Sequence, residues 1–111
     1  MATHAKEKSL HDANLLLAID AGNTQTVIGV YEGASLLRMW RIATNKSHTA
    51  DELRCKLLML FASEEFLEDR VVGAVLASVV PSLTSSWKAA IAAMGINALV
   101  CSAESAGSLF K

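Results

Sequence analysis

Residues 15 to 19, Leu-Leu-Leu-Ala-Ile, form an unbroken apolar run that stops at a carboxylate, Asp20. A strand with one wet face would alternate apolar and polar residues, so this run predicts a strand buried on both faces. Such a strand lies inside a sheet and needs neighbours on either side. One neighbour follows at once: after Ala21-Gly22-Asn23-Thr24 comes a β-rich run from Thr26 to Tyr31, carrying Val27, Ile28 and Val30. It ends at the turn signal Glu32-Gly33-Ala34 and leads into a third run, Leu36 to Ile42, which predicts an antiparallel meander.

The pattern then changes period. Thr49-Ala50-Asp51-Glu52 fits a capping box, in which Thr49 accepts from the third helical amide and Glu52 reaches back to the Thr49 amide. A helix is expected there, with Leu53, Leu57, Leu58 and Phe61 on its apolar face and Arg54 and Lys56 outside it. The acidic cluster Glu64, Glu65, Glu68 and Asp69 reads as a solvated helix end, although so many carboxylates there oppose the macrodipole. Val71 to Ala77 is a second buried-strand run, broken by Ser78-Val79-Val80-Pro81 before a helix whose inner face is Leu83, Trp87, Ile91 and Met94. Gly95 is expected at the C′ position, Ile96 to Cys101 as a fifth strand, and residues 102–111 as a loop or helix start.

The predicted order is β-β-β-α-β-α-β: a meander followed by two right-handed crossovers. This is an α/β fold with a five-stranded mixed sheet of the ribonuclease-H-like kind, strands one to three antiparallel and strands one, four and five parallel. Open α/β sheets bind ligands beyond the carboxyl ends of their central strands, and Asp20 sits at such an end.

The chain has 111 residues, of which 52% are hydrophobic, and a formal net charge of −1. That supports one domain, read as a flexible extension over residues 1–14 and a folded lobe over 15–111. The charge leaves no electrostatic footprint for nucleic acid or anionic lipid. The longest apolar stretch, Val71 to Val80, is about half the roughly 20 residues of a membrane span, and residues 1–14 contain no apolar signal core, so a cytoplasmic protein is expected. Cys55 and Cys101 read as small buried hydrophobes, and His4, His11 and His48 as surface residues without metal-ligand spacing. Trp40 and Trp87 are expected in the core or, for Trp40 on an edge strand, in an interface.

A carboxylate at the tip of a buried strand can hold Mg²⁺, and a glycine two residues on lets the backbone approach an anion. The amides around Gly22, Asn23 and Thr24, with the Asn23 amide group and Thr24 hydroxyl, could donate to phosphate oxygens as a nest does. The competing account is that Asp, Gly and Asn are what a tight hairpin prefers. On these residues alone the hairpin account stands ahead.

Three segments in order weigh the other way: AIDAGNTQTVIGVYEG, WRIATNKSHTADEL and LASVVPSLTSSW. Together they resemble the N-terminal part of the type III pantothenate kinases, with a D-x-G-N-T phosphate loop, a W-R-I/T segment followed by T-x-D-E, and a small-residue strand ending S-V-V-P. The resemblance runs over roughly residues 15 to 101. It implies an enzyme of the acetate and sugar kinase, Hsp70 and actin type that phosphorylates pantothenate with ATP, the first step of coenzyme A synthesis. Such enzymes have two ribonuclease-H-like lobes, are usually homodimers, and need Mg²⁺ and a monovalent cation, K⁺ or NH₄⁺. By resemblance, Asp20 positions the metal and the nucleotide phosphates, while Gly22, Asn23 and Thr24 form the phosphate loop. Arg41, Thr49, Asp51 and Glu52 also match the family but take no role from it, and Ser78 and Pro81 read as a helix entry. The family's G-x-D-R segment, whose aspartate is the presumed base on pantothenate, has no counterpart after Cys101. The catalytic residue is therefore unknown, and this chain is expected to supply only the first lobe and to be inactive alone.

Two other classes compete. A metal-dependent nuclease of this fold needs converging carboxylates; Asp20 and Glu52 could supply two, but Val71 to Ala77 contains no acid. A non-catalytic, partner-binding or regulatory accessory module is the alternative separated from the kinase by Mg·ATP binding that depends on Asp20.

Overall fold

The computed structural model describes residues 14–66 and 68–101. Its strands are β1 (Leu15–Ala21), β2 (Gln25–Glu32), β3 (Ser35–Ala43), β4 (Val71–Ser78) and β5 (Leu99–Cys101). Two helices, α1 (Ala50–Ser63) and α2 (Pro81–Ala92), and a short 3-10 turn, Glu68–Arg70, complete the described elements. The strands form one sheet in the order β3-β2-β1-β4-β5, with β1 antiparallel to β2 and parallel to β4. β2 pairs antiparallel with β3, and β4 parallel with β5. This is the predicted ribonuclease-H-like arrangement, with β1 in the centre.

The register separates two faces. Leu15, Leu17, Ile19 and Ala21 have no exposed surface and belong to the hydrophobic core with Ile28, Val30 and Leu76 from the neighbouring strands. Onto this face α1 contributes Leu53, Leu57 and Phe61, and α2 contributes Leu83, Trp87, Ala90 and Ile91. Leu16, Ala18 and Asp20 alternate to the opposite face, which neither described helix covers. Full burial of one large apolar side chain is worth about 1.5–3 kcal/mol, so the helix-covered face carries most of the stability.

Several expectations are corrected. Leu58 is 39% exposed, because the face that packs is the narrower stripe 53–57–61. Cys55 is exposed on α1 and Cys101 half-buried, so neither is a core residue. His48 is half-buried where the chain enters α1; His4 and His11 lie outside the described residues, as do residues 1–13 and 102–111. β5 begins only at Leu99, since Ile96 turns into the core before the strand starts. Gly95, with φ +84°, lies two residues past the α2 C-cap, Ala93, one place later than C′.

The acidic helix end is more organised than a solvated one. Glu65 takes φ 59°, its amide donates to Ala62 O at 3.2 Å, and the Phe66 amide donates to Phe61 O at 2.9 Å, which is a Schellman motif with glutamate at C′. Phe66 closes it against Phe61, ring centroids 6.1 Å apart. Glu64 pairs with Arg38 at 2.9 Å and Glu68 with Arg54 at 3.0 Å. Trp40 on the edge strand β3 packs inward, 6.2 Å from both Phe61 and Phe66. Among the described residues no helix is long and apolar enough to cross a membrane.

Candidate functional site

Asp20 is the penultimate residue of β1, in register with Val27 on β2 and Ala77 on β4. Because Ile19 and Ala21 are drawn into the core, strand alternation sends the Asp20 side chain to the face without described helices. It is half-buried and makes no hydrogen bond or ion pair with another described residue. Burial without a compensating charge pushes its carboxyl above the ordinary carboxylate range. A bound cation would reverse that shift.

The loop that follows is held by backbone geometry. The Gly22 amide donates to Gln25 O at 3.0 Å, and a Cβ on residue 22 would stand 3.0 Å from that same oxygen. Close approach of that backbone oxygen thus favours glycine at this position. Asn23, Thr24 and Gln25 all have negative φ, unlike the primed turns that make Asn-Gly favourable in two-residue hairpins. The loop does join β1 and β2 as an antiparallel hairpin, so the hairpin account holds for the backbone, although not through a primed turn.

Thr44, the first residue after β3, anchors the loop. Its amide donates to Thr24 O at 2.9 Å and its hydroxyl to Gly22 O at 2.8 Å. With that proton committed, the Thr26 hydroxyl, 2% exposed, is the donor in the 2.8 Å contact between the two threonine Oγ1 atoms. Two loop carbonyls are tied back toward Thr44, while the amides of Asn23 and Thr24 bond no other described residue. The exposed Asn23 and Thr24 side chains add donors, so the loop can receive an anion beside a carboxylate that can receive a cation.

The sequence reading missed Thr44 and Thr26. Their signal was the strand register, in which Gln25 pairs with Ala43 and so brings residue 44 beside the loop. At the end of β4, Ser78 Oγ donates to Val80 O at 3.0 Å and accepts from Val80 N at 3.1 Å, which is the helix entry that was expected. Thr49 and Glu52 form the capping box: Glu52 Oε1 accepts from Thr49 N at 2.9 Å and Glu52 N donates to Thr49 Oγ1 at 3.2 Å. Hydrogen bonds from Thr49 hold the Glu52 carboxyl below its ordinary range.

Glu52 therefore does not join Asp20, since α1 packs on the other face of the sheet. Among the described residues no three His, Cys, Asp or Glu side chains could share a metal, so these residues do not form the carboxylate cluster that the nuclease reading looked for. Two surface grooves lie elsewhere. One, about 560 Å³, runs along α2 past Lys88 to Asn97; the other, about 350 Å³, lies on α1 beside His48, Asp51 and Cys55. Neither includes a residue of the Asp20 loop.

Comparison with known proteins gives a consistent picture. The profile of the type III pantothenate kinase family matches residues 16–110. A type III pantothenate kinase of Anaeromyxobacter sp. (strain K) is 52% identical over 69 residues, which is 62% of this chain and 27% of that protein. One from Pelobacter propionicus is 47% identical over 75 residues, 68% of this chain and 30% of that protein. The match thus spans less than a third of the curated relatives' length. Among solved structures, Thermus thermophilus RuvC in complex with a Holliday junction substrate superposes with a TM-score of 0.53 at 15% identity, covering 81% of this chain and 65% of that one. At that identity the likeness is one of fold.

Proposed function

The chain belongs to the type III pantothenate kinase family, and from that premise we propose that it supplies the first phosphate-binding lobe of an enzyme that phosphorylates pantothenate with ATP. The observation that carries the reading is a half-buried Asp20, without a partner among the described residues, beside a loop whose carbonyls are tied back and whose Asn23 and Thr24 amides bond no other described residue.

In this reading Asp20 holds Mg²⁺, directly or through water, at the end of β1. Gly22 lets the backbone come close, and the Asn23 and Thr24 amides and side chains donate to phosphate oxygens. Thr44 maintains the loop shape without touching the ligand. Mg·ATP, when bound, supplies the phosphoryl group, and the chain's part is positioning and charge neutralisation. The donor set fits this: one hard oxygen ligand leaves Mg²⁺ to complete its shell with water and phosphate, its common habit. The monovalent cation, K⁺ or NH₄⁺, is assigned no residue.

The reading extends to a homodimeric enzyme working in the cytoplasm on pantothenate, with neither nucleic acid nor membrane as partner, in keeping with a net charge of −1. The proposed general base is not among these residues, since the family's G-x-D-R segment has no counterpart in them. The test combines calorimetric titration of Mg·ATP into the 111-residue chain with an assay for pantothenate-dependent ADP release. We expect Mg·ATP binding that Asp20→Asn abolishes, and no turnover. A folded chain that binds no Mg·ATP overturns the reading; turnover would overturn the single-lobe part of it.

A further inference from the structure

The sheet register places Asp20 in a row that the sequence does not reveal. Arg41 on β3 is in register with Val27 on β2, and Val27 with Asp20 on β1. Directly paired residues project to the same face of a sheet, so Arg41 and Asp20 share the face without described helices, two strand spacings or roughly 10 Å apart. Within the five described strands, Asp20 is the only carboxylate on that face and Arg41 the only cation. Arg38, three residues earlier, projects to the helix side and is paired with Glu64.

Val27 lies between them and Ala77 beside Asp20; one row back stand Ala18 and Gly29, flanked by Val75 and Met39. Arg41 is exposed and makes no ion pair with another described residue, so neither packing nor charge pairing accounts for an arginine here.

We propose that Arg41 is a phosphate-contacting residue of the same site, its guanidinium donating to phosphate oxygens from β3 while Asp20 holds the cation from β1. The inference rests on the Mg·ATP reading and deepens it. An arginine suits the position because its planar fork can take two oxygens at once, and a chain with four phosphate charges needs cationic partners on more than one side.

The test is calorimetry on the 111-residue chain with Mg·ATP and with Mg·tripolyphosphate, which carries no base or ribose. Arg41→Gln is expected to weaken both by roughly tenfold to a hundredfold, the usual worth of a charge-assisted hydrogen bond. Arg41→Lys should recover only part of the loss, because an ammonium lacks the fork. Arg38→Gln, the same charge change on the other face, should leave both affinities unchanged. If Arg41→Gln binds like the parent chain while Asp20→Asn does not, the Arg41 assignment fails and the phosphate site stands. If Arg41→Gln unfolds, the lysine variant decides, and full parental affinity in it overturns the proposal. If the parent chain binds neither ligand, the site reading fails and takes this inference with it.

Discussion

At the scale of single residues, the site is governed by what Asp20 and Gly22 cannot do without. Burial raises the Asp20 carboxyl above its unfolded value, so the folded chain holds this proton to higher pH than the unfolded chain does. Stability must then fall as pH rises through the window just above the ordinary carboxylate value. Asp20→Asn removes that slope, and we expect its melting temperature at neutral pH to equal or exceed the parent's, even as Mg·ATP no longer raises it. A lower melting temperature in the variant would mean that the carboxylate has a stabilising partner. Gly22→Ala should cost about 1–3 kcal/mol in urea unfolding, because the new methyl group meets a backbone oxygen that cannot swing away. Asp20 and Gly22 were legible in the sequence as a strand-end carboxylate and a turn glycine. Thr44 was not, since a threonine in a polar linker looks like any other until β3 is laid beside β2.

At the scale of elements, the two ends of α1 test different rules. Its start was readable, because Thr49 and Glu52 stand at the three-residue spacing a capping box needs, and the bonds form as expected. Thr49→Ala should cost about 1 kcal/mol. Glu52, held below its ordinary value, contributes stability that is present above the unfolded carboxylate value and is lost as pH falls through the depressed folded one. The protection of the Thr49 amide, its exchange rate relative to the intrinsic one, should therefore fall in acid in the parent and show no such onset in Glu52→Gln. The end of α1 was not readable, because glutamate is a poor residue for a left-handed C′ position. Glu65 sits there because Phe66 must fold back on Phe61. Glu65→Gly should raise stability by about 1 kcal/mol by removing the left-handed strain and one acid from the negative helix end, and a lowered melting temperature would refute that account.

At the scale of the whole molecule, one sheet face carries the packing and the other the proposed chemistry. Ile19, unexposed beneath the helices, and Asp20, the next residue on the opposite face, make β1 serve both. Ile19→Ala should cost roughly 2–5 kcal/mol, a large part of the stability of a small domain, and be visible as a lower urea midpoint. The sequence alone determined the order and type of the elements, because hydrophobic period, capping spacing and turn residues are local and survive without knowledge of neighbours. It also determined the family, through three motifs in order. Only the tertiary structure decided which residues share a face. Arg41 meets the row of Asp20, Thr44 ties down the loop and Glu52 is kept from both, because strand register and helix placement depend on contacts between residues far apart in the chain.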